Sequence, residues 1–264
     1  MKHILVPIGS TENAQNTLQY AIDFSSKIGA KVFVFRAYNI PSKAETMINI
    51  TKFIENETKL YLRSVVKSVD RKNVEISIIS SKRSVIDSIQ NINKELKIDL
   101  VIIGTKSNSI KEEVFLGNTT GSIVKQTEIP VLIVPIGYTF KPFKHILMAI
   151  KSGKITKNNA LHPLKNIITK FTAELDLLLV KTPNYSEDDL ELNNELSTLK
   201  NSLTISENAT TYQGVLEHFQ SHNPDLLCVL RRKRGFFKKL WEKNTILKSE
   251  FFCTIPLLVL SGNK

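Results

Sequence analysis

The chain carries two copies of one pattern, and that duplication limits its fold more than any other feature. Lys2-His3-Ile4-Leu5 returns as Lys144-His145-Ile146-Leu147, 142 residues later. Asp99-Leu100 returns as Asp225-Leu226, and Ile129-Pro130 as Ile255-Pro256, both 126 residues later, so the stretch between them aligns without a gap. Within it, Asn118-Thr119 pairs with Asn244-Thr245, and Phe115 with Trp241. The change of offset makes the second copy 16 residues shorter, and the loss falls between its second and fourth strands. Ile136–Pro142, where Gly137 and Pro142 interrupt both periodicities, separates one domain at 1–140 from another at 143–264.

Each copy reads as alternating strand and helix. In the first, Ile4–Ile8 is a short apolar strand, and Ser10 or Thr11 can cap a helix running to about Ile28. Gly29 ends that helix, and Lys31–Tyr38 forms a second strand. After Pro41, apolar residues from Met47 to Val69 recur three or four apart, as on a helix. Val74–Ile79 alternates as a third strand, Val85 to Leu96 marks another helix, and Leu100–Ile103 and Val131–Val134 are continuous apolar strands. Five strands per copy, each separated by a helix, imply an α/β fold with a parallel sheet covered on both faces.

Composition excludes some classes. No apolar run approaches the roughly 18 residues that cross a bilayer, and Pro7 and the polar Ser10–Asn13 interrupt the apolar N-terminus, so no cleaved signal is expected. Cys228 and Cys253 both lie in apolar surroundings, as two buried reduced thiols of a cytoplasmic protein would. The net charge of +11 is shared: residues 1–142 hold 19 basic and 13 acidic side chains, and 143–264 hold 17 and 12. A dedicated basic tail is absent, and the charge permits anionic ligands or nucleic acid without indicating either.

In an open parallel sheet, ligands collect beyond the carboxyl ends of the central strands, where the chain order reverses. Three loops leave such ends: after Ile8, after the second strand, and after Ile103. The last reads Gly104-Thr105-Lys106-Ser107, then nine residues, then Gly117-Asn118-Thr119-Thr120 entering a helix. Glycines let backbone amides approach an anion closely, and a helix N-terminus favours phosphate. In a second reading Gly104 only makes a turn and Asn118 only caps a helix. The segment is neither a P-loop nor a G-x-G-x-x-G fingerprint.

The opening Ile4-Leu5-Val6-Pro7, the Asp99–Gly104 strand and the ending Ile129–Pro135 together resemble the universal stress protein (UspA) family. That family's nucleotide-binding members carry G-x2-G-x9-G and then Ser, Thr or Asn, which maps onto Gly104, Ser107, Gly117 and Asn118. The resemblance implies an adenine nucleotide alpha hydrolase-like sheet ordered 3-2-1-4-5 in each copy. It implies a site for ATP or a related adenine nucleotide, with or without Mg, built from Ile8, Gly9, Ala37, Gly104, Ser107, Gly117, Asn118, Thr119 and Thr120. It also implies that the copies pair through their fifth strands, Pro130–Val134 and Pro256–Leu260, and it allows a homo-oligomer. Two positions depart from the pattern. Ser107 replaces the second glycine, and Gly9 stands where nucleotide-binding members have an Asp against the nucleoside. Losing such a charge-assisted hydrogen bond costs about 1.5–3 kcal/mol.

The second copy has lost the signature: Leu230, Lys233 and Lys243 stand at the positions of Gly104, Ser107 and Gly117. In its place runs Arg231 to Lys243, with seven basic residues in thirteen. Arg231, Arg232, Lys233 and Arg234 read either as an anion or partner patch or as a solvated loop. His218, His222 and Glu217 share a helix face without a third convincing ligand for a metal. With no catalytic set assignable, the sequence points to a stress-response or regulatory module. Its first domain binds an adenine nucleotide and its second is the structural partner; the alternative is a scaffold of the same fold that binds none.

Overall fold

A computed structural model of the protein describes residues 1–9, 13–39, 48–106, 114–231, 246–247 and 253–262. In chain order the first half contains β1 (His3–Pro7), α1 (Asn13–Ile28), β2 (Lys31–Ala37), α2 (Ile48–Lys67), β3 (Ile76–Ser81) and α3 (Val85–Leu96). It continues with β4 (Leu100–Gly104), β5 (Val114–Leu116), α4 (Asn118–Gln126) and β6 (Val131–Val134). The second half contains β7 (His145–Ile150), α5 (His162–Phe171), β8 (Glu174–Lys181), α6 (Asn194–Leu199) and β9 (Ser202–Glu207). It ends with α7 (Thr211–His222), β10 (Leu226–Arg231), β11 (Ile246–Leu247) and β12 (Leu257–Ser261).

Ten strands join in one sheet, ordered β3-β2-β1-β4-β6-β12-β10-β7-β8-β9. Each half contributes five parallel strands in the order 3-2-1-4-5, and the halves meet where β6 pairs antiparallel with β12. In that pair Leu132 faces Leu258, which is its own equivalent 126 residues on, while Val131 faces Val259 and Ile133 faces Leu257. The register therefore places a pseudo-twofold axis through the Leu132–Leu258 pair. A short antiparallel pair, β5 with β11, also crosses between the halves.

Strand alternation divides the core into two layers. Ile4 and Val6 face one layer with Leu18 and Phe24 of α1, Leu62 and Val65 of α2, and Leu164 and Ile167 of α5. Leu5 faces the other, with Ile89 of α3, Ile123 of α4 and Val215 of α7. Each such side chain, fully buried, contributes about 1.5–3 kcal/mol.

The repeated sequence identities have a common cause. Asp99 Oδ2 accepts from the backbone amides of Lys2 (2.6 Å) and His3 (3.0 Å), and Asp225 Oδ2 accepts from those of Lys144 (2.8 Å) and His145 (3.1 Å). The same carboxylate clamp thus anchors the first strand of each half. The shortening of the second copy is explained by α2. Where the first half has this 20-residue helix, the second has a 3-10 turn at Glu187–Leu190 and the six-residue α6.

Gly137 turns the connection at φ +74°, and its amide donates to Asn16 Oδ1 of α1 at 3.0 Å. Phe140 and Phe143 of the connection pack with Phe24 of α1 and Phe171 of α5 at ring separations of 5.4–6.3 Å. The segment expected to interrupt periodicity is also part of the core. Gly29, at φ +74°, ends α1 as the sequence indicates. The third strand lies later than the alternation suggests, after left-handed turn residues at Lys72 and Asn73. No described helix is long and apolar enough to cross a membrane.

Candidate functional site

β1 lies between β2 and β4, and α1 leaves one face of the sheet while α3 and α4 cover the other. A crevice must open beyond β1 where the connections part. A cavity of about 450 Å3 lies there. Its lining includes Ile8 and Gly9 after β1, Ala37 at the end of β2, Gly104 at the end of β4, and Gly117, Asn118, Thr119 and Thr120 at the start of α4. Eight of the expected site residues thus share one cavity; Ser107 lies outside the described residues, as do Ser10, Thr11 and Glu12.

The apolar wall is Phe35, Val85, Ile103 and Ile123. The polar end is the N-terminus of α4. Gly117 occupies the cap position at φ −68° and, having no side chain, leaves first-turn amides uncapped. A methyl group built on Gly117 would meet only the Lys106 side chain, at 3.5 Å, an ordinary contact. Neither backbone geometry nor packing therefore requires glycine at this position. The open face of the helix terminus is what a side chain there would cover.

Gly104 differs. A methyl group there would fall 2.2 Å from Asn13 Nδ2 and 2.7 Å from Thr17 Oγ1. Its lack of a side chain makes room for α1, and Gly104 also lines the cavity. Asn13 donates from Nδ2 to the Thr105 carbonyl at 3.4 Å. The Asn13 side-chain oxygen is buried in the cavity lining with no partner among the described residues.

Sequence reasoning missed Asn13 and Thr17 as packing partners of Gly104, and it missed Arg36. Arg36 also lines the cavity, with its guanidinium 4.2 Å over the Tyr61 ring and Nη1 3.5 Å from the Gly9 carbonyl. Tyr61 donates its hydroxyl to that same carbonyl at 2.8 Å. Gly9, after β1, is thus flanked by a cation. The available signal was Arg36's place at the carboxyl end of β2, beside the reversal of strand order. Lys106 is a further cation in the lining, and no Asp or Glu is among the described lining residues.

At the equivalent place in the second half, among the described residues, a connecting segment packs on the loop after β7. That loop lies under residues 187–193: the Gly153 amide donates to the Asp189 carbonyl (2.8 Å), and the Asn193 amide to the Gly153 carbonyl (3.0 Å). A methyl group on Gly153 would lie 2.5 Å from the Glu191 carbonyl oxygen. Arg231, expected in a surface patch, turns toward the first half and donates from Nη1 to the Val124 carbonyl of α4 at 2.5 Å. Burial lowers its pKa below the usual arginine value, and Glu128 opposes that shift. Arg232, Lys233 and Arg234 lie outside the described residues. His222 Nδ1 lies 2.9 Å from the His218 carbonyl, and Glu217 accepts from Asn208. Among the described residues no three His, Cys, Asp or Glu side chains gather as for a metal.

A model of the universal stress protein family matches residues 1–135. A universal stress protein of Methanocaldococcus jannaschii is 21% identical over 139 residues, covering 50% of this chain and 81% of that protein. The crystal structure of a universal stress protein from Archaeoglobus fulgidus superposes with a TM-score of 0.73 at 16% identity, covering 98% of both chains. A protein of unknown function from Pseudomonas aeruginosa PAO1 superposes with a TM-score of 0.56 at 12% identity, covering 99% of this chain and 93% of that one. At these identities the superpositions establish the fold and nothing further.

Proposed function

The chain belongs to the universal stress protein family, and from that premise we propose that its first half is a regulatory module that binds an adenine nucleotide in the cavity beyond β1. The observation that carries this reading is Gly117, which the fold does not need as glycine and which leaves a helix N-terminus open to the cavity. Phosphate oxygens would sit there against first-turn amides and the hydroxyl of Thr119, while the Thr120 hydroxyl donates to the Gly104 carbonyl at 3.4 Å. The apolar wall of Phe35, Val85 and Ile103 suits a base, and the unpartnered Asn13 oxygen can accept from an amino or hydroxyl group. A cavity of about 450 Å3 lies within the size of small-molecule sites, roughly 300–1,000 Å3. With no described carboxylate in the lining, a magnesium ion would arrive on the phosphates and be held chiefly by them.

In this reading residues 1–140 form the binding domain and 143–264 its intramolecular partner. The antiparallel β6–β12 pair supports that division of roles, as does the segment packed on the loop after β7. The function is binding in the cytoplasm, in a stress response, and the reading assigns no catalytic step.

A second reading, a scaffold that binds no nucleotide, is favoured by Gly9 alone. Melting of denatured and refolded protein with added Mg-ATP separates the two. Nucleotide at 100 times its dissociation constant stabilises by about 2.7 kcal/mol, a rise of roughly 5–10 °C in a chain of this size. Gly117→Val, which places side-chain bulk at the helix terminus, is expected to abolish that rise. No co-purified nucleotide, together with an unchanged melting temperature at millimolar Mg-ATP, would refute binding and leave the scaffold.

A further inference from the structure

The end of the cavity beside Gly9 offers a cation rather than a carboxylate. A carboxylate accepts hydrogen bonds from free ribose hydroxyls, but Gly9 offers none, and no Asp or Glu is among the described lining residues. The cation at that end is Arg36. Its guanidinium is held over the Tyr61 ring at 4.2 Å and beside the Gly9 carbonyl at 3.5 Å, and the Tyr61 hydroxyl donates to the same carbonyl at 2.8 Å. No carboxylate pairs with Arg36 among the described residues. It is therefore a partly oriented, unneutralised fork of donors at the rim of the cavity, the geometry that suits a phosphate group.

Spacing makes this a second anion position, distinct from the helix terminus. Arg36 rides on β2, whereas Gly104 and the chain leading to α4 leave from β4, and β1 lies between those strands. At about 4.8 Å between neighbouring strands, the two ends stand roughly 10 Å apart at the backbone. A nucleotide phosphorylated only at its 5′ end serves α4 and leaves Arg36 unmatched. One that also bears a ribose phosphate serves both. The same exchange operates in dinucleotide-binding folds, where an acid reads a free ribose hydroxyl and an arginine reads a ribose phosphate.

We propose that this site prefers an adenosine bisphosphate, phosphorylated at the 5′ position and at the 2′ or 3′ ribose position, with Arg36 as the residue that sets the preference. The inference rests on the nucleotide reading above and specifies its ligand.

The test compares adenosine 3′,5′-bisphosphate, adenosine 2′,5′-bisphosphate and ADP by titration calorimetry on the full chain at one salt concentration. ADP carries two phosphates at one end, so it controls for total charge. One of the bisphosphates should bind about tenfold or more tightly than ADP, the scale of one charge-assisted hydrogen-bond pair. Arg36→Ala should weaken that bisphosphate by at least tenfold more than it weakens ADP, and Arg36→Lys, which keeps the charge, should lose less. Melting of each variant shows whether it is folded. ADP binding as tightly as either bisphosphate would overturn the preference and leave the nucleotide reading standing. So would an equal loss for ADP and bisphosphate in Arg36→Ala. Binding of none of the three would remove both.

Discussion

Replacing Gly104 by alanine tests why the motif's first glycine is there. The added methyl would lie 2.2 Å from Asn13 Nδ2 and 2.7 Å from Thr17 Oγ1, both on α1 and both buried. The strand cannot retreat easily, because β4 is held between β1 and β6, with Gly104 itself in register with Val134. Asn13 must therefore turn and give up its bond to the Thr105 carbonyl, or α1 must shift. Overpacking of this kind costs about 1–3 kcal/mol, offset in part by the roughly 0.4–1 kcal/mol that Gly→Ala gains through the unfolded chain. A net loss of about 1–2 kcal/mol should lower the melting temperature by roughly 2–8 °C. Gly117→Ala is the control: its methyl meets only Lys106, at 3.5 Å, and its φ is ordinary, so stability should change by less than about 1 kcal/mol. Circular-dichroism melts of Gly104→Ala, Asn13→Ala and the double variant then isolate the contact. The double variant should be more stable than the sum of its singles by about 1 kcal/mol, since one change removes the atom the other strikes. Thr17 keeps the relief partial. Additive losses, or a Gly104→Ala melt matching wild type, would refute the packing explanation.

Two further outcomes follow from the same coordinates. Residues 1–142 expressed alone expose β6, and the pseudo-symmetric register lets two copies pair with Leu132 opposite Leu132 and Val131 opposite Ile133. Light scattering should therefore give twice the fragment's mass, and a soluble monomer at tens of micromolar would contradict it. The buried thiols predict alkaline sensitivity: desolvation holds Cys253 up at about 12 and Cys228 higher still, against about 8.5 for an unfolded cysteine. The unfolded chain thus releases protons that the folded one retains, so this stability is complete below about pH 8.5 and falls as pH rises toward the folded values. Between pH 8 and 9.5 the loss is about 1 kcal/mol per thiol. Urea melts should show a smaller loss over that interval in the Cys228→Ala/Cys253→Ala double variant; equal losses would place the sensitivity elsewhere, with buried Tyr20 the next group to examine.

The alternation of strand and helix and the duplication were legible because they rest on periodicity and on repeated anchors; the strand order was legible only through the family resemblance. Asp99 and Asp225 recur because each clamps the two amides that start a first strand, so identical chemistry left identical letters. The cavity's composition was legible for the same reason: strand ends beside a reversal of order must face it, which gathers Ile8, Gly9, Ala37 and Gly104. What a side chain does at such an end was not legible. Gly104 lines the cavity as the sequence suggested, but it also makes room for Asn13, a contact between positions 91 residues apart that no local pattern encodes. Arg36 reads as the polar end of a strand, and only its seat on Tyr61 of α2 shows that it is held over the cavity. Arg231 reads as the first residue of an exposed basic run, and only the crossing between halves shows it bonded to α4.

That crossing shows how the two halves can differ at their switch points within one sheet. With β6 and β12 paired, the interface edge of each sheet is covered whatever happens at its switch point, so the fold does not depend on either cavity. The shortened connection before β9 then replaces a long helix with a segment whose backbone bonds directly to Gly153. In the first half, α2 instead holds Tyr61 at the rim, where it orders Arg36 and the Gly9 carbonyl around an open space. The two halves thus differ in structure at the connection between second and third strands. A chain that restored a long helix there in the second half would still lack glycine at Leu230 and Lys243, and its leucine would fill the floor that Gly104 leaves for Asn13. Among the described residues the second half therefore differs twice at this place, by the connection bonded to Gly153 and by Leu230 at the strand end.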